Sequence, residues 1–327
     1  LTVSARAVPF DLTLAEIDGA AALIREVVPP TPTFRWPLLA QRLGVDIALK
    51  HENQTRLGAF KVRGGLTYVD ALRRRAPHVR RIVGASAGNH GQSLAFAGAR
   101  AGLAVTIVVP LDCPQEKTAA IRALGAEIVE HGADFEESYV YARTLDGGDP
   151  FVEFVPSYDR DLVLGVATYA RELFAAGPFD VVYVPIGLGS GITGLIAVRD
   201  LLRLPTEIVG VVSETYPAYA LSLAAGAPRE TASAAATIAE GIGCRVPDPA
   251  AFAVIQAGAA RIVTVTEAAI RDAMGWLFSD THNVAEGAGA AAVAAAAAER
   301  AALAGRRVAV VVSGGNVDRA VFAAVLA

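Results

Sequence analysis

The chain has 327 residues, 53% of them hydrophobic and 19% charged, with a formal net charge of −4. That length suits two domains or one large one, and it buries a sizeable core without metal or disulfide staples. With an acidic balance and no basic run that stands out, nucleic acid and acidic membranes are poor partners. Cys113 and Cys244 lie far apart and suggest no disulfide framework, which fits a reducing cytosol. The start, Leu1-Thr2-Val3-Ser4-Ala5-Arg6, lacks the charged and then apolar order of a signal peptide. The most apolar stretch, 288–298, is short and mostly alanine, so it reads as a buried helix and not as a membrane span. A cytoplasmic globular protein is expected. Its only lysines are Lys50, Lys61 and Lys117, so chemistry that needs a lysine amine has three candidates.

Short β-branched runs alternate with helical patterns along the chain. The segment 50–65 reads as a strand end, a polar loop and a helix starting near Lys61. Strands follow at 81–85, 105–109 and 127–130, separated by helices at 89–101 and 115–124. A second series has strands at 181–184, 208–212 and 308–312, with a helix at 191–202 after the first of them. These near-continuous apolar runs suit parallel strands covered on both faces, and the alternation predicts an α/β protein. The preferred break is near Pro156-Ser157-Tyr158. Residues 76–157 would form a small domain within a larger one built from 1–75 plus 158–327.

Ligands of open α/β sheets bind beyond the carboxyl ends of the strands, which directs attention to the loops there. Three of them are small, polar and rich in glycine: Ser86-Ala87-Gly88-Asn89-His90-Gly91-Gln92, Ile186-Gly187-Leu188-Gly189-Ser190-Gly191-Ile192-Thr193-Gly194, and Ser313-Gly314-Gly315-Asn316-Val317-Asp318. All three are expected at one sheet edge. Each feeds a helix whose N-terminal N–H groups could cradle an anion, and the second, with most glycines and no acid, is the best phosphate cup. Glycine is also the default residue of tight turns, so a single such loop proves little. The second loop matches G-x-G-x-x-G, and Glu214 follows the next strand, which leaves a dinucleotide reading open.

Lys61 falls in the first turn of its helix, where the dipole disfavours a cation and suits an amine that is neutral or covalently modified. Lys117 reads as a solvated helix residue and Lys50 as a structural residue at a strand end. His51, His78, His131 and His282 show no metal-ligand spacing and take surface or capping roles; His90 is set apart by its loop. Trp36, Trp276, Tyr139 and Tyr141 read as packing residues.

Together these segments resemble the fold-type II pyridoxal-phosphate enzymes, most closely the serine/threonine dehydratase (threonine ammonia-lyase-like) branch. Gly58-Ala59-Phe60-Lys61-Val62-Arg63-Gly64-Gly65 is similar to its S-F-K-x-R-G-A, and Ser86 to Gln92 to its S-x-G-N-H-x-Q. Gly187 to Gly191 stands where its tetraglycine loop falls, and Ser313-Gly314-Gly315-Asn316 matches its S-G-G-N. Thr31-Pro32-Thr33 and Ala285-Glu286-Gly287-Ala288-Gly289-Ala290 also fall in the family's order. The resemblance runs from about residue 20 onward and implies two open, twisted, mostly parallel sheets flanked by helices, as in the tryptophan synthase β fold. It implies pyridoxal 5′-phosphate as cofactor, joined through a Schiff base to Lys61. Phe60 would pack against the pyridine ring and Asn89 would bond the 3′-oxygen. Gly187, Leu188, Gly189, Ser190 and Gly191 would hold the phosphate, with Ser313 at the ring nitrogen. Ser86, Ala87, Gly88, Asn89 and His90 would receive the substrate carboxylate.

The implied reaction is α,β-elimination from a β-hydroxy amino acid such as L-threonine or L-serine, giving a 2-oxo acid and ammonia. A hydroxyl at the ring nitrogen makes a weaker electron sink than a carboxylate would, which favours prompt loss of the β-hydroxyl. Lys61, neutral through burial, would take the Cα proton. Ala87 stands where serine racemases carry a serine, so racemisation lacks its second acid/base. Leu188 and Ser190 interrupt the tetraglycine loop, and Ala59 replaces a serine. Glu214 and Ala218 fall where some relatives bind a divalent cation, but Ala220 lacks the third carboxylate, and no metal is expected. The chain ends soon after Asn316, so no regulatory domain is expected. The resemblance also implies a homodimer or homotetramer. Other readings are a dehydratase for phenylserine or 3-hydroxyaspartate, a serine racemase-like enzyme, an NAD-dependent oxidoreductase, or a non-catalytic cofactor- or amino-acid-binding protein.

Overall fold

Apolar β-branched runs make the central strands, and small residues decide how closely the helices approach them. The computed structural model describes residues 9–111, 113, 115–231 and 235–327. The described chain begins with α1 (Leu14–Arg25), β1 (Thr33–Arg35), α2 (Pro37–Leu43) and β2 (Ile47–His51). Then come α3 (Lys61–Arg75), β3 (Arg81–Ala85), α4 (Asn89–Arg100), β4 (Ala104–Val109), α5 (Gln115–Ala123), β5 (Glu127–Glu130), α6 (Phe135–Ala142) and β6 (Val152–Phe154). The next part holds α7 (Arg160–Ala175), β7 (Val181–Pro185), α8 (Ser190–Leu201), β8 (Glu207–Ser213) and α9 (Ala218–Ala225). The last holds α10 (Pro249–Gly258), β9 (Arg261–Val265), α11 (Glu267–Thr281), α12 (Gly287–Ala298), β10 (Val308–Val312) and α13 (Arg319–Leu326). No described helix is long and apolar enough to cross a membrane.

Among the described residues the strands form two sheets, in the orders β1-β2-β10-β7-β8-β9 and β5-β4-β3-β6. Every pairing is parallel except β1 with β2. The expected α/β architecture of two open, mostly parallel sheets is therefore present, and all six expected strands form. The three glycine-containing loops, however, do not share one sheet edge. The loop at 86–92 follows β3 of the four-stranded sheet, whereas those at 186–194 and 313–318 follow β7 and β10 of the six-stranded sheet. Each lies where the strand order reverses: β10 returns from the far side to lie between β2 and β7, and β6 returns to the free side of β3.

Helix α12 is buried on every side, as its alanine content led us to expect. Its small residues let backbone come close: a Cβ on Gly289 would lie 2.2 Å from the carbonyl oxygen of Gly314. Helix α3 is held between α7 and α4 in the same way. A Cβ on Gly64 would meet the Leu162 carbonyl at 2.8 Å, and one on Gly65 would meet the Ser93 hydroxyl at 2.3 Å. Val62, Leu66, Val69 and Leu72 of α3 join Ile82, Leu94, Val105 and Ile107 in the core beside the four-stranded sheet.

Because α3 carries Lys61, its seat on α7 is worth testing. A Cβ on Gly165 would fall 2.2 Å from both the Arg63 carbonyl and the Thr67 hydroxyl. Gly165→Val should cost about 2–3 kcal/mol in denaturant unfolding, through overpacking. In contrast Gly19, inside α1, meets nothing within 4 Å. Gly19→Ala should raise stability by about 0.5–1 kcal/mol by restricting the unfolded chain.

Candidate active site

The loop before α3 is tied to the loop after β10. Phe60 N–H donates to the Ser313 carbonyl (3.1 Å) and Gly315 N–H to the Gly58 carbonyl (2.8 Å). Gly58 has φ +70°, and a Cβ there would meet Asn316 Oδ1 at 2.4 Å, so this turn admits only glycine. Ala59 is buried against Gly314. Lys61 follows as the first residue of α3, and its Nζ donates to Ser190 Oγ (3.2 Å) from 5.1 Å above the Phe60 ring. Burial brings its amine down to about 8.

The loop after β7 is shaped from behind. A Cβ on Gly187 would lie 2.6 Å from the Gly241 carbonyl, and Gly189 adopts φ +103°. Two buried tyrosines take its carbonyls: Tyr169 donates to Gly191 (2.8 Å) and Tyr219 to Leu188 (3.2 Å). With carbonyls turned back to the tyrosines, the first N–H groups of α8 are the polar groups the loop offers an anion. Phe60 packs edge-on to Tyr169 and sits near Gly191.

The third loop enters from the other sheet. Ser86 Oγ accepts from Gly88 N–H (3.1 Å), and Asn89 starts α4. Asn89 Nδ2 donates to Glu286 Oε1 (2.8 Å), and Asn89 Oδ1 accepts from Asn316 Nδ2 (2.7 Å). His90 is buried, and its Nε2 has no hydrogen-bond partner among the described residues. Burial, with Lys61 nearby, brings His90 down to about 3, so its imidazole is neutral.

The structure thus links Lys61, Phe60, Ser190, Gly191 and Ser313 by contact, with Gly187, Leu188 and Gly189 on the same loop as Ser190 and Asn89 joined to Asn316 of the loop that follows Ser313. Ser86, Ala87, Gly88 and His90 share the loop of Asn89. Ser313 makes its contact through its backbone carbonyl. Glu286 and Asn316 were visible as motif residues but carried no assigned contact. Burial, opposed by the Asn89 hydrogen bond and aided by Glu240, pushes Glu286 up to about 7.

Behind Lys61 lies a buried charge cluster that sequence reasoning missed. Arg63 donates to both carboxylate oxygens of Glu52 (2.8 and 3.0 Å) and of Glu172 (2.8 and 2.9 Å). Lys50 donates to Glu172 (2.6 Å) and to the Thr31 carbonyl (2.7 Å), which makes it structural as expected. The available signal was a lysine closing the apolar run Ile47-Ala48-Leu49. The Lys117 side chain lies outside the described residues. His51 is a correction, being fully buried and not a surface residue: its Nε2 accepts from Trp36 Nε1 (2.9 Å), and burial brings it down to about 4. His282 caps α11 and His131 stacks on Tyr141. Glu214 accepts from the Glu267 N–H at the start of α11 (3.1 Å).

Residues 24–314 match the family described as pyridoxal-phosphate dependent enzyme. The L-threonine ammonia-lyase of Thermotoga maritima is 33% identical over 308 residues, covering 94% of this chain and 76% of that protein. The L-threo-3-hydroxyaspartate ammonia-lyase of Saccharomyces cerevisiae is 30% identical, covering 94% of each chain. Among solved structures, the processed form of threonine deaminase isoform 2 from Solanum lycopersicum superposes with a TM-score of 0.86 at 28% identity, covering 97% of this chain and 94% of that one.

Two measurements test this geometry on the protein without added ligand. Labelling of Lys61 by an amine-directed reagent, read by peptide mass spectrometry, should rise with pH around a midpoint near 8, because the reactive neutral form grows as pH passes that value. The unfolded chain should show its midpoint near 10.5. Arg63→Met should cost about 3–5 kcal/mol in unfolding free energy, since Glu52 and Glu172 would keep only Lys50 as a buried counter-charge.

Proposed function

The chain belongs to the pyridoxal-phosphate dependent enzymes, and from that premise we propose that it is an ammonia-lyase that dehydrates a β-hydroxy amino acid, L-threonine or L-serine, to a 2-oxo acid and ammonia. The observation that carries the reading is Lys61: an amine brought down to about 8 by burial, set where loops from both sheets meet. The residues present fit the cofactor. Lys61 offers the amine that its aldehyde requires, and the loop from Gly187 to Gly191 offers N–H groups with no acidic side chain to oppose a phosphate. Phe60 would flank the ring, Asn89 would donate to the 3′-oxygen, and Ser313 would meet the ring nitrogen with a hydroxyl.

When bound, the cofactor supplies an electron sink that acidifies the Cα proton of an amino acid. The chain's own part is to bind, orient and move protons. The loop from Ser86 to His90 would receive the substrate carboxylate at the N-terminus of α4, with the neutral His90, whose Nε2 has no partner among the described residues, on the same loop. Lys61, once its amine is free, would take the Cα proton; with a value near 8 it is a competent base near neutral pH. Ala87 offers no hydroxyl for the opposite face, which favours dehydration over racemisation. The engagement of Glu214 by α11, and the position of G-x-G-x-x-G after β7 and not after the first strand, weigh against a nicotinamide enzyme.

The same reading takes residues 76–157 as a small domain set against 1–75 plus 158–327, supported by the confinement of β3 to β6 to that stretch. It also takes the protein as a cytoplasmic homodimer or homotetramer, an assembly supported by large apolar side chains left at the surface, Phe34, Leu38 and Phe278.

The test is a panel of β-hydroxy amino acids assayed for 2-oxo acid release by the purified protein with pyridoxal phosphate. L-Threonine or L-serine should give 2-oxo acid, and Lys61→Ala should lose the visible absorption band and at least about 10³-fold in kcat/KM. Release from 3-hydroxyaspartate alone would move the substrate to the acidic class. No release from any member, or full activity in Lys61→Ala, would overturn the proposal.

A further inference from the structure

Asn89 is the side chain on which the loops of the two sheets close, and both ends of its amide are committed. The orientation can be read without ambiguity from one fixed point. The Leu57 backbone carbonyl can only accept a hydrogen bond, and Asn316 places an amide atom 2.7 Å from it. That atom must be nitrogen. The same Nδ2 is 2.7 Å from an amide atom of Asn89, which must therefore be the oxygen. The Asn89 nitrogen then faces Glu286, 2.8 Å away, where a carboxyl oxygen accepts. One hydrogen of Asn89 Nδ2 goes to Glu286, and the second is left over.

We propose that Asn316 and Glu286 are positioning residues that lock Asn89 so that its spare N–H, and not its carbonyl oxygen, points to the 3′-oxygen of the bound cofactor. This rests on the reading of Lys61 as the cofactor site. The polarity matters chemically. A donor at that oxygen stabilises its deprotonated form, while a carbonyl turned toward it would stabilise the protonated one. The relay spans residues far apart in sequence: Leu57 before α3, Asn89 at the start of α4, Glu286 before α12 and Asn316 after β10. It is braced at both ends. The Glu286 N–H donates to the Gly314 carbonyl (3.1 Å), and the Gly314 Cα faces Glu286 so closely that a Cβ would lie 2.4 Å from Oε1.

The experiment compares wild type, Asn89→Ala, Asn316→Ala, Glu286→Ala and Glu286→Gln in cofactor titrations of the apoprotein. The pH midpoint of the visible absorption band is followed in each, and apoprotein melting controls for folding. Asn316→Ala and Glu286→Ala each remove one of the two anchors that hold the amide. Cofactor affinity should fall about tenfold, the size of one lost hydrogen bond to a charged group, and the spectral midpoint should move up toward that of Asn89→Ala. In Glu286→Gln the side-chain oxygen can still accept from Asn89, and affinity should stay within about threefold of wild type. Wild-type affinity and an unmoved midpoint in both alanine variants, with apoprotein melting unchanged, would overturn the lock. So would a Glu286→Gln variant as impaired as Glu286→Ala. Failure of the Lys61 reading gives a different result, in which wild type itself forms no visible band.

Discussion

An amine held away from water at the first turn of a helix is the constraint around which the molecule is arranged. Burial disfavours the charged form of Lys61, and the N-terminal end of α3 adds positive partial charge beside it. Two residues further on, Arg63 is fully buried and ties α3 to Glu52 after β2 and to Glu172 on α7. With Lys50 the cluster holds two positive and two negative charges, so its formal charge cancels. Its geometry fixes where α3 begins. A helix start that could slide would carry the amine away from Ser190, and the buried carboxylates would lose the guanidinium that compensates them.

Close approach of backbone is the second half of the arrangement. Lys61 belongs to a helix packed against the four-stranded sheet, whereas Ser190 and Ser313 follow strands of the six-stranded sheet. For these to touch, α3 has to sit nearly in van der Waals contact with α7 and α4, and the turn at Gly58 has to leave room for Asn316. Residues without side chains occupy those places for steric reasons. The tyrosines behind the loop after β7 complete the fit, because a hydroxyl on a buried ring satisfies a carbonyl that would otherwise be buried without a donor.

The parts legible in the sequence were those set by local chemistry. Runs such as Val308 to Val312 announce a buried strand, and a lysine opening a helix after a polar loop announces its own oddity. Strands β1 and β6, three residues each, are too short to carry a period, and β9 is a half-exposed edge strand with arginine and threonine in it. The assignment of loops to two sheets was hidden because strand order depends on where β6 and β10 return, and no local pattern records that. The burial of His51 depends on a donor from Trp36, and the relay through Asn89 on partners 197 and 227 residues away. Such contacts are products of the tertiary fold, and only their residue types are written in the chain.

The electrostatics of the three loops are consistent with the proposed chemistry in a way the motifs alone do not convey. None of the segments 86–92, 186–194 and 313–318 contains a lysine or arginine, and His90 is neutral. An anionic cofactor and an anionic substrate would be met by the N-terminal ends of α8 and α4, each equivalent to roughly half a positive charge. Dipoles of this kind attract anions without supplying a second nucleophile. Lys50 is held by Glu172 and the Thr31 carbonyl, so it cannot reach an aldehyde at the loops. A site that bound its anions through backbone N–H groups would spare its amine for reaction, and burial would keep Lys61 able to act as a base.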